Sequence, residues 1–431
     1  MIIVCEPQCK SFSHEKINSG FLYGLRLAYP TEKIRFYAHN SHIQAIKEIL
    51  RHDKVVIDDI EYFPISFHSS SGVKAIVVYY FILKKLLKDS LLNEVDKIFF
   101  LSFTPMLLYL IKKFKEKNEF SAMKFSFVLH GAFEEILQSV YKPSAISLPA
   151  KPIKKISENL RRLTLDKITR KIARIIGDRW DRAISIPWNW ISKNFFGFKK
   201  IFLWNHSEDF RYISLAPYAT TNASKYIDIV KLNIYNVFFP SVFVEPLDQP
   251  NNEYVKFAVF GYGNSAMLQK ILLELSKRTI NSNYEICIIG MDNSGTDNFK
   301  NIVCPSPGRP LSRSDMEKYA FDIDMFLILY EKDRYRLTCS ASIIESLSYM
   351  KPVIHFQNEC IDFFNNPLNP IGISCSDVKE YVDAMERFIN NYQLHISQLH
   401  LFRNNIMILR GKYDLSYSAK QIKDSFTWPS N

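Results

Sequence analysis

No apolar run in this sequence is long enough to cross a bilayer. The longest, Ile98 to Ile111, contains Ser102, Thr104 and Pro105 and is bounded by Lys97 and Lys112. A spanning helix needs about 20 residues, so the stretch reads as a strand followed by a helix. The opening MIIVCEPQCK lacks the basic start and long apolar centre of a secretory signal. Cysteine is sparse: seven residues, at 5, 9, 287, 304, 339, 360 and 375, an odd number with no zinc-knuckle spacing. They read as small buried hydrophobes in a reducing compartment. No His/Asp/Glu cluster has metal spacing, and there is no internal repeat or low-complexity tract. The expectation is a protein in the cytosol, or on the cytosolic face of a membrane, with no metal and no cofactor.

The chain has 431 residues, 47% apolar and 23% charged, enough to bury a full core in each of two domains. Its net charge of +11 is concentrated. Residues 151–200 hold 14 Lys/Arg against 4 Asp/Glu, and the remainder is 41 against 40. Within that segment Ile153, Ile156, Leu160 and Leu163 recur at helical spacing, followed by Leu165, Ile168, Ile172, Ile175 and Ile176 on a rotated face. Trp180, Trp188, Trp190, Phe195, Phe196 and Phe198 come next. Basic residues beside Trp and Phe are the composition of an interfacial segment on anionic lipid. No stacking motif supports a nucleic-acid partner.

Strand and helix patterns alternate in two series. The first has strands at Met1–Cys5, Lys33–His39, Val55–Phe63, Lys97–Ser102 and Lys124–His130, with helices between; Thr104 before Pro105 starts one of them. Two short strands follow the basic segment, at Lys200–Asn205 and Tyr212–Pro217. A proline-rich linker, Asn236 to Asn252, leads to strands at Tyr254–Phe260, Glu285–Met291, Asn301–Cys304, Asp324–Tyr330 and Lys351–Phe356, with helices from Ser265, Leu311, Ser340 and Asp377. Such alternation predicts two tandem doubly wound α/β domains, Rossmann-like, with a basic helical insertion.

The richest stretch for chemistry is Tyr330 to Phe356. A buried strand delivers a polar loop and then a helix capped by Ser340. Free N–H groups of Ser340, Ala341 and Ser342 make an anion site. Arg334 and Arg336 can neutralise a phosphate, and Glu345 lies one turn further, in reach of a ribose hydroxyl. Gly261 and Gly263 form a turn with Asn264 after the first strand of this series, allowing close backbone approach. Arg309 and Arg313 add phosphate candidates. In the first series, His14 and Glu15 follow the first strand, before Asn18 and Gly20, and His130-Gly131 ends a strand with Glu134 and Glu135 behind it. His130 is the candidate general base, with Glu134 orienting or replacing it and Glu15 as the alternative. Asp322-Ile323-Asp324 reads as turn and cap residues rather than a metal site, and Asp58-Asp59 as structural.

The 330–356 stretch resembles the donor site of glycosyltransferases of the two-Rossmann (GT-B) fold. The resemblance implies donor phosphates at Ser340 to Ser342 and the donor ribose at Glu345. Many retaining members carry a second glutamate eight residues earlier; here that place holds Leu337. The resemblance divides the chain into an acceptor-side domain, 1–240, including the basic segment 151–200, a nucleotide-sugar-binding domain, 253–395, and helices at 396–431 that cross back. It implies transfer from a nucleotide-sugar donor to a glycan or lipid-linked acceptor at the inner face of the cytoplasmic membrane, in surface polysaccharide assembly. A non-catalytic nucleotide-sugar-binding or scaffold protein of the same fold is the alternative.

Overall fold

The computed structural model describes residues 1–55, 60–65, 73–95, 97–134, 198–204, 207–246, 252–260, 264–289, 295–296, 299–307 and 311–428. Two all-parallel sheets carry the fold. The first contains β1 (Ile2–Glu6), β2 (Ile34–Ala38), β3 (Ile60–Pro64), β4 (Lys97–Phe100), β5 (Lys124–Val128), β6 (Phe210–Ser214) and β7 (Asn233–Asn236). Its order is β3-β2-β1-β4-β5-β6-β7. The second contains β8 (Lys256–Phe260), β9 (Glu285–Ile289), β10 (Ile302–Val303), β11 (Met325–Ile328), β12 (Val353–Phe356) and β13 (Gly372–Cys375), in the order β10-β9-β8-β11-β12-β13. Strands such as β1, β6 and β11 are buried at every position, as parallel strands covered on both faces must be. In each sheet the chain reverses direction beside its first strand, which opens a crevice at the carboxyl ends.

Several helices start where the sequence supplies a capping side chain. Glu15–Ala28 (α1), Asn40–His52 (α2) and Pro105–Lys115 serve the first sheet. The last has Thr104 accepting from the Leu107 N–H at 3.1 Å. In the second half, Ser312 caps Arg313–Asp322 (α3) and Ser340 caps Ala341–Ser348 (α4). The helix Asn40–His52 is capped by His39, whose Nδ1 accepts from the Ser41 N–H at 3.2 Å.

Three expectations change. Where a strand is expected from Lys200 to Asn205, Asn205 lies outside the described residues and Phe198–Leu203 is a helix. Its last carbonyls are taken by the buried Lys112, whose Nζ donates to Ile201, Phe202 and Trp204 at 2.9, 3.0 and 2.6 Å. A cation at a helix C-terminus satisfies groups the helix itself cannot. The Asn236–Asn252 stretch is more than a linker. Asn236 ends β7, and Val237, Phe238 and Phe239 are core residues, with Phe238 stacked on Tyr413 at 3.9 Å. Gly372–Cys375 is a strand that the pattern did not suggest. Residues 151–197 of the basic segment lie outside the described residues, as do Asp58 and Asp59.

After Tyr392–Lys412 the chain returns to the first sheet as Leu415–Phe426 (α5), packed on α1. Arg211 of β6 anchors it, donating from Nη1 to the carbonyls of Asp424, Ser425 and Thr427 at 3.2, 3.1 and 2.8 Å and lying 4.2 Å from the Trp428 ring. One apolar cluster consequently runs from Ile2 and Phe21 through Phe238 to Ile343 and Phe426. The two halves share core as well as surface.

Gly20 marks a tight joint between α1 and the chain that follows β7. A Cβ there would lie 2.1 Å from the Pro240 carbonyl oxygen, a backbone atom that cannot rotate away. Gly20→Ala is expected to destabilise the protein by about 1–3 kcal/mol, the usual cost of overpacking, read as a lower midpoint in urea denaturation.

Candidate functional site

The first half presents a floor of mutually bonded polar groups. Glu6, at the end of β1, accepts from the N–H groups of Gln8 and Cys9 at 2.8 and 3.0 Å, from Asn18 Nδ2 at 3.1 Å and from the Ser102 hydroxyl. Asn18 Nδ2 also lies 3.0 Å from His42 Nε2, and His42 Nδ1 lies 2.9 Å from the Ser11 carbonyl. That carbonyl can only accept, so Nδ1 carries the proton and Nε2 accepts from Asn18. The network fixes the loop that ends at His14, which adopts left-handed backbone (φ 57°).

This loop brings His14 to His130. Their Nδ1 atoms are 3.2 Å apart and the rings meet edge to face. Burial pushes His130 well below the ordinary histidine pKa, and His14 beside it adds to the effect. His14 is the exposed member, yet the crevice walls still desolvate its ring and push its pKa down. Both rings are therefore neutral near pH 7, one donating to the other.

In the second half, the start of α4 abuts the end of β8: the Ser342 hydroxyl donates to the Phe260 carbonyl at 3.5 Å. Ser340 is fully buried; its Oγ accepts from the Ser342 N–H at 3.2 Å and lies 2.7 Å from the Tyr330 hydroxyl. The Ser342 N–H is thus spent on the cap. Ala341 is exposed. Arg334 is exposed and its guanidinium lies 5.1 Å from the Tyr335 ring. Arg336 lies 3.3 Å from Asp333 and 3.5 Å from Glu359. Beside it an open cavity of about 440 Å³ is lined by Lys332, Asp333, Arg336, Glu359 and Asp362 among others. Asn264 Oδ1 caps the following helix, accepting from Met267 N–H at 3.1 Å. Gly261, Gly263 and Arg309 lie outside the described residues.

Glu345 is not a free acceptor. It is 6% exposed, and Arg313 grips both its oxygens, at 2.8 and 3.1 Å. Burial opposes its charge, but Arg313 and Lys16 outweigh that and hold its pKa below the ordinary value. Arg313 also lies 3.3 Å from Glu317, which is 3.2 Å from His52 of the first half. His52 in turn lies 3.3 Å from Asp53, and Asp53 3.6 Å from the buried Lys16. Glu15 stands at the edge of this network, near enough to feel both Arg313 and Glu345. Burial is the main cause that pushes its pKa up, to about 7.

The structure thus gathers His14, His130, Glu15, Arg313, Glu345 and the α4 start on the facing carboxyl edges of the two sheets. Glu134 accepts from the Leu337 N–H at 2.9 Å, which joins it to the second half. Lys16, His52, Asp53 and Glu317 escaped the sequence reading. Only Lys16, beside Glu15, carried any signal, since an ion network between distant segments has no local spacing. Asp324 accepts from Lys256 N–H and Tyr392 OH, each at 2.9 Å, and Asp322 pairs with Lys256 at 2.6 Å, so both are structural. Among the described residues no three His, Cys, Asp or Glu are grouped to hold a metal, and no helix is long and apolar enough to cross a membrane.

No known family profile matches the chain, and no curated protein matches it in sequence. Solved structures do match, from end to end. A glycosyltransferase from Rickettsia africae superposes with a TM-score of 0.56 at 11% identity over 97% of this chain and 96% of its own. TarM from S. aureus, solved with fondaparinux, alpha-GlcNAc-glycerol and UDP, gives 0.57 at 10% over 99% of each chain. The lipopolysaccharide outer core galactosyltransferase WaaB gives 0.55 at 12% over 98% of each. The chain has the two-Rossmann GT-B fold of these glycosyltransferases.

Glu15 offers a test of the site's electrostatics. Its folded pKa of about 7 lies above that of an unfolded glutamate. The folded state therefore binds more protons between roughly pH 4.5 and 7, and stability falls as pH rises across that window. Glu15→Gln removes this dependence. The variant should gain on the wild type from pH 5 to 8, by up to about 3 kcal/mol, and no further above pH 8. Urea denaturation of both proteins across pH 5–9 measures it.

Proposed function

We propose that this protein transfers a sugar from a nucleoside-diphosphate donor to a hydroxyl of a glycan or lipid-linked acceptor. The observation that carries the reading is the GT-B fold over the whole chain, with polar groups of both halves converging where the two carboxyl edges meet. The donor diphosphate would lie at the α4 start with Arg334 and Arg336 as counter-charges, and its ribose near Glu345. The acceptor oxygen attacks the anomeric carbon, the sugar–phosphate bond breaks, and the nucleoside diphosphate leaves. The acceptor proton passes to the neutral His14–His130 pair, with Glu15 the nearest other proton acceptor. A role in surface polysaccharide assembly is supported by likeness to WaaB, and anchoring on anionic lipid by the composition of residues 151–200.

One observation favours a second reading, nucleotide-sugar binding without transfer. Position 337, where many retaining members carry a glutamate, is a buried apolar leucine.

Thermal shift with uridine diphosphate, the nucleotide bound to TarM, tests the donor assignment first. Saturating ligand at 100 times Kd should stabilise by about 2.7 kcal/mol, whereas uridine alone should give little. His130→Ala should keep that shift while losing about 10²–10⁴-fold in turnover. A ligand shift in the wild type with no transfer to any acceptor would favour the binding protein. No shift with any nucleoside diphosphate would remove the donor assignment.

A further inference from the structure

The loop between β11 and α4 is held in two parts by two different halves of the protein. Its first part is fixed from its own side: Asn358 Nδ2 donates to the carbonyls of Glu331 and Arg334 at 2.9 and 2.8 Å. Its last part is fixed from across the crevice. Asn222 Nδ2 donates to the Arg336 carbonyl at 3.1 Å, the Leu337 N–H donates to Glu134 at 2.9 Å, and the Tyr218 hydroxyl donates to the Thr338 carbonyl at 2.5 Å. The Thr338 hydroxyl donates to the carbonyl of His130. Asn222, Glu134, Tyr218 and His130 all belong to the first half. Between the two parts Tyr335 takes left-handed backbone (φ 61°), a conformation a residue with a Cβ adopts at a cost unless its neighbours impose it.

The side chain at the centre of the second part completes the arrangement. Leu337 is 1% exposed. It does not join the core of the domain that carries it but the apolar cluster of the first half, with residues such as Leu129, Ala132 and Phe133. A leucine in a polar loop, beside arginines, is thereby accounted for: it is a plug.

We propose that Leu337 anchors the donor-facing loop to the first half, and that Tyr218, Asn222 and Glu134 are positioning residues that set the loop's backbone through residues 336–338. The anchoring follows from the geometry alone, and its bearing on donor binding rests on the function proposed above. The buried side chain and the three backbone bonds join the two halves at one place, so parting the halves there would free Leu337 and Arg336 together. A donor bound by Arg336 and the α4 start would then depend on the anchor that sets this backbone.

Amide hydrogen exchange of the full chain without ligand tests this. Leu337→Ala and Tyr218→Phe should each speed exchange over residues 336–339 by about 10-fold or more, leaving residues 331–334, held by Asn358, near the wild-type rate. Leu337→Met, which refills the pocket, should restore protection, and so should Glu134→Gln relative to Glu134→Ala, because the amide oxygen still accepts from the Leu337 N–H. Tyr218→Phe serves if Leu337→Ala fails to fold. Unchanged exchange at 336–339 in Tyr218→Phe, and in Leu337→Ala where it folds, overturns the anchor. So does acceleration equal across 331–339. A separate titration with uridine diphosphate reads the consequence: Leu337→Ala should bind about 10-fold more weakly. If the wild type does not bind it at all, the donor reading fails while the exchange result still decides the anchor.

Discussion

A carboxylate cannot be buried between two domains without a counter-charge, and the bidentate grip of Arg313 on Glu345 meets that demand at the centre of this molecule. Around it the other charges fall into place. Glu317 shares Arg313 and reaches His52; Asp53 balances Lys16. Among the described residues Arg313 is the only ion-pair partner of Glu345, so removing it leaves a buried carboxylate unpaired, which costs several kcal/mol. The network ties the position of α3 and α4 to that of α1 and α2, and with it the donor-facing surface to the acceptor-facing one.

Apolar contacts enforce the same relation by a different route. The helix Leu415–Phe426 returns to the first half, where Phe426 meets Phe99 and Arg211 caps the helix end. Leu337 adds a side chain lent from one half to the core of the other. The crevice is therefore bordered by a shared core on one side and a plugged loop on the other, and its polar groups lie between.

Much of the fold was legible in the sequence because parallel strands declare themselves as short apolar runs between capped helices. Thr104 before Pro105, Ser340 before its helix and the run Met325–Ile328 needed no tertiary information. Phe198–Leu203 was misread because its helix is only six residues long and owes its end to Lys112, far away in sequence. The strand Asn233–Asn236 has polar ends and no alternation to reveal it. At the site, the histidines and the capped helix could be named from strand ends and spacing. What spacing could not convey was partnership: that Glu345 would be occupied by Arg313, that His14 would meet His130, and that Glu134 would spend its carboxylate on a backbone N–H.

The central claim is that the two facing edges form one nucleotide-dependent transfer site, with the phosphates at the start of the helix that Ser340 caps. A crystal structure of the protein with uridine diphosphate tests it most directly. The account predicts the diphosphate against the N–H groups at the start of Ala341–Ser348, within reach of Arg334 or Arg336, with the His14–His130 pair facing it across the crevice. A nucleotide bound elsewhere, or a crevice that stays empty at saturating ligand, would contradict it.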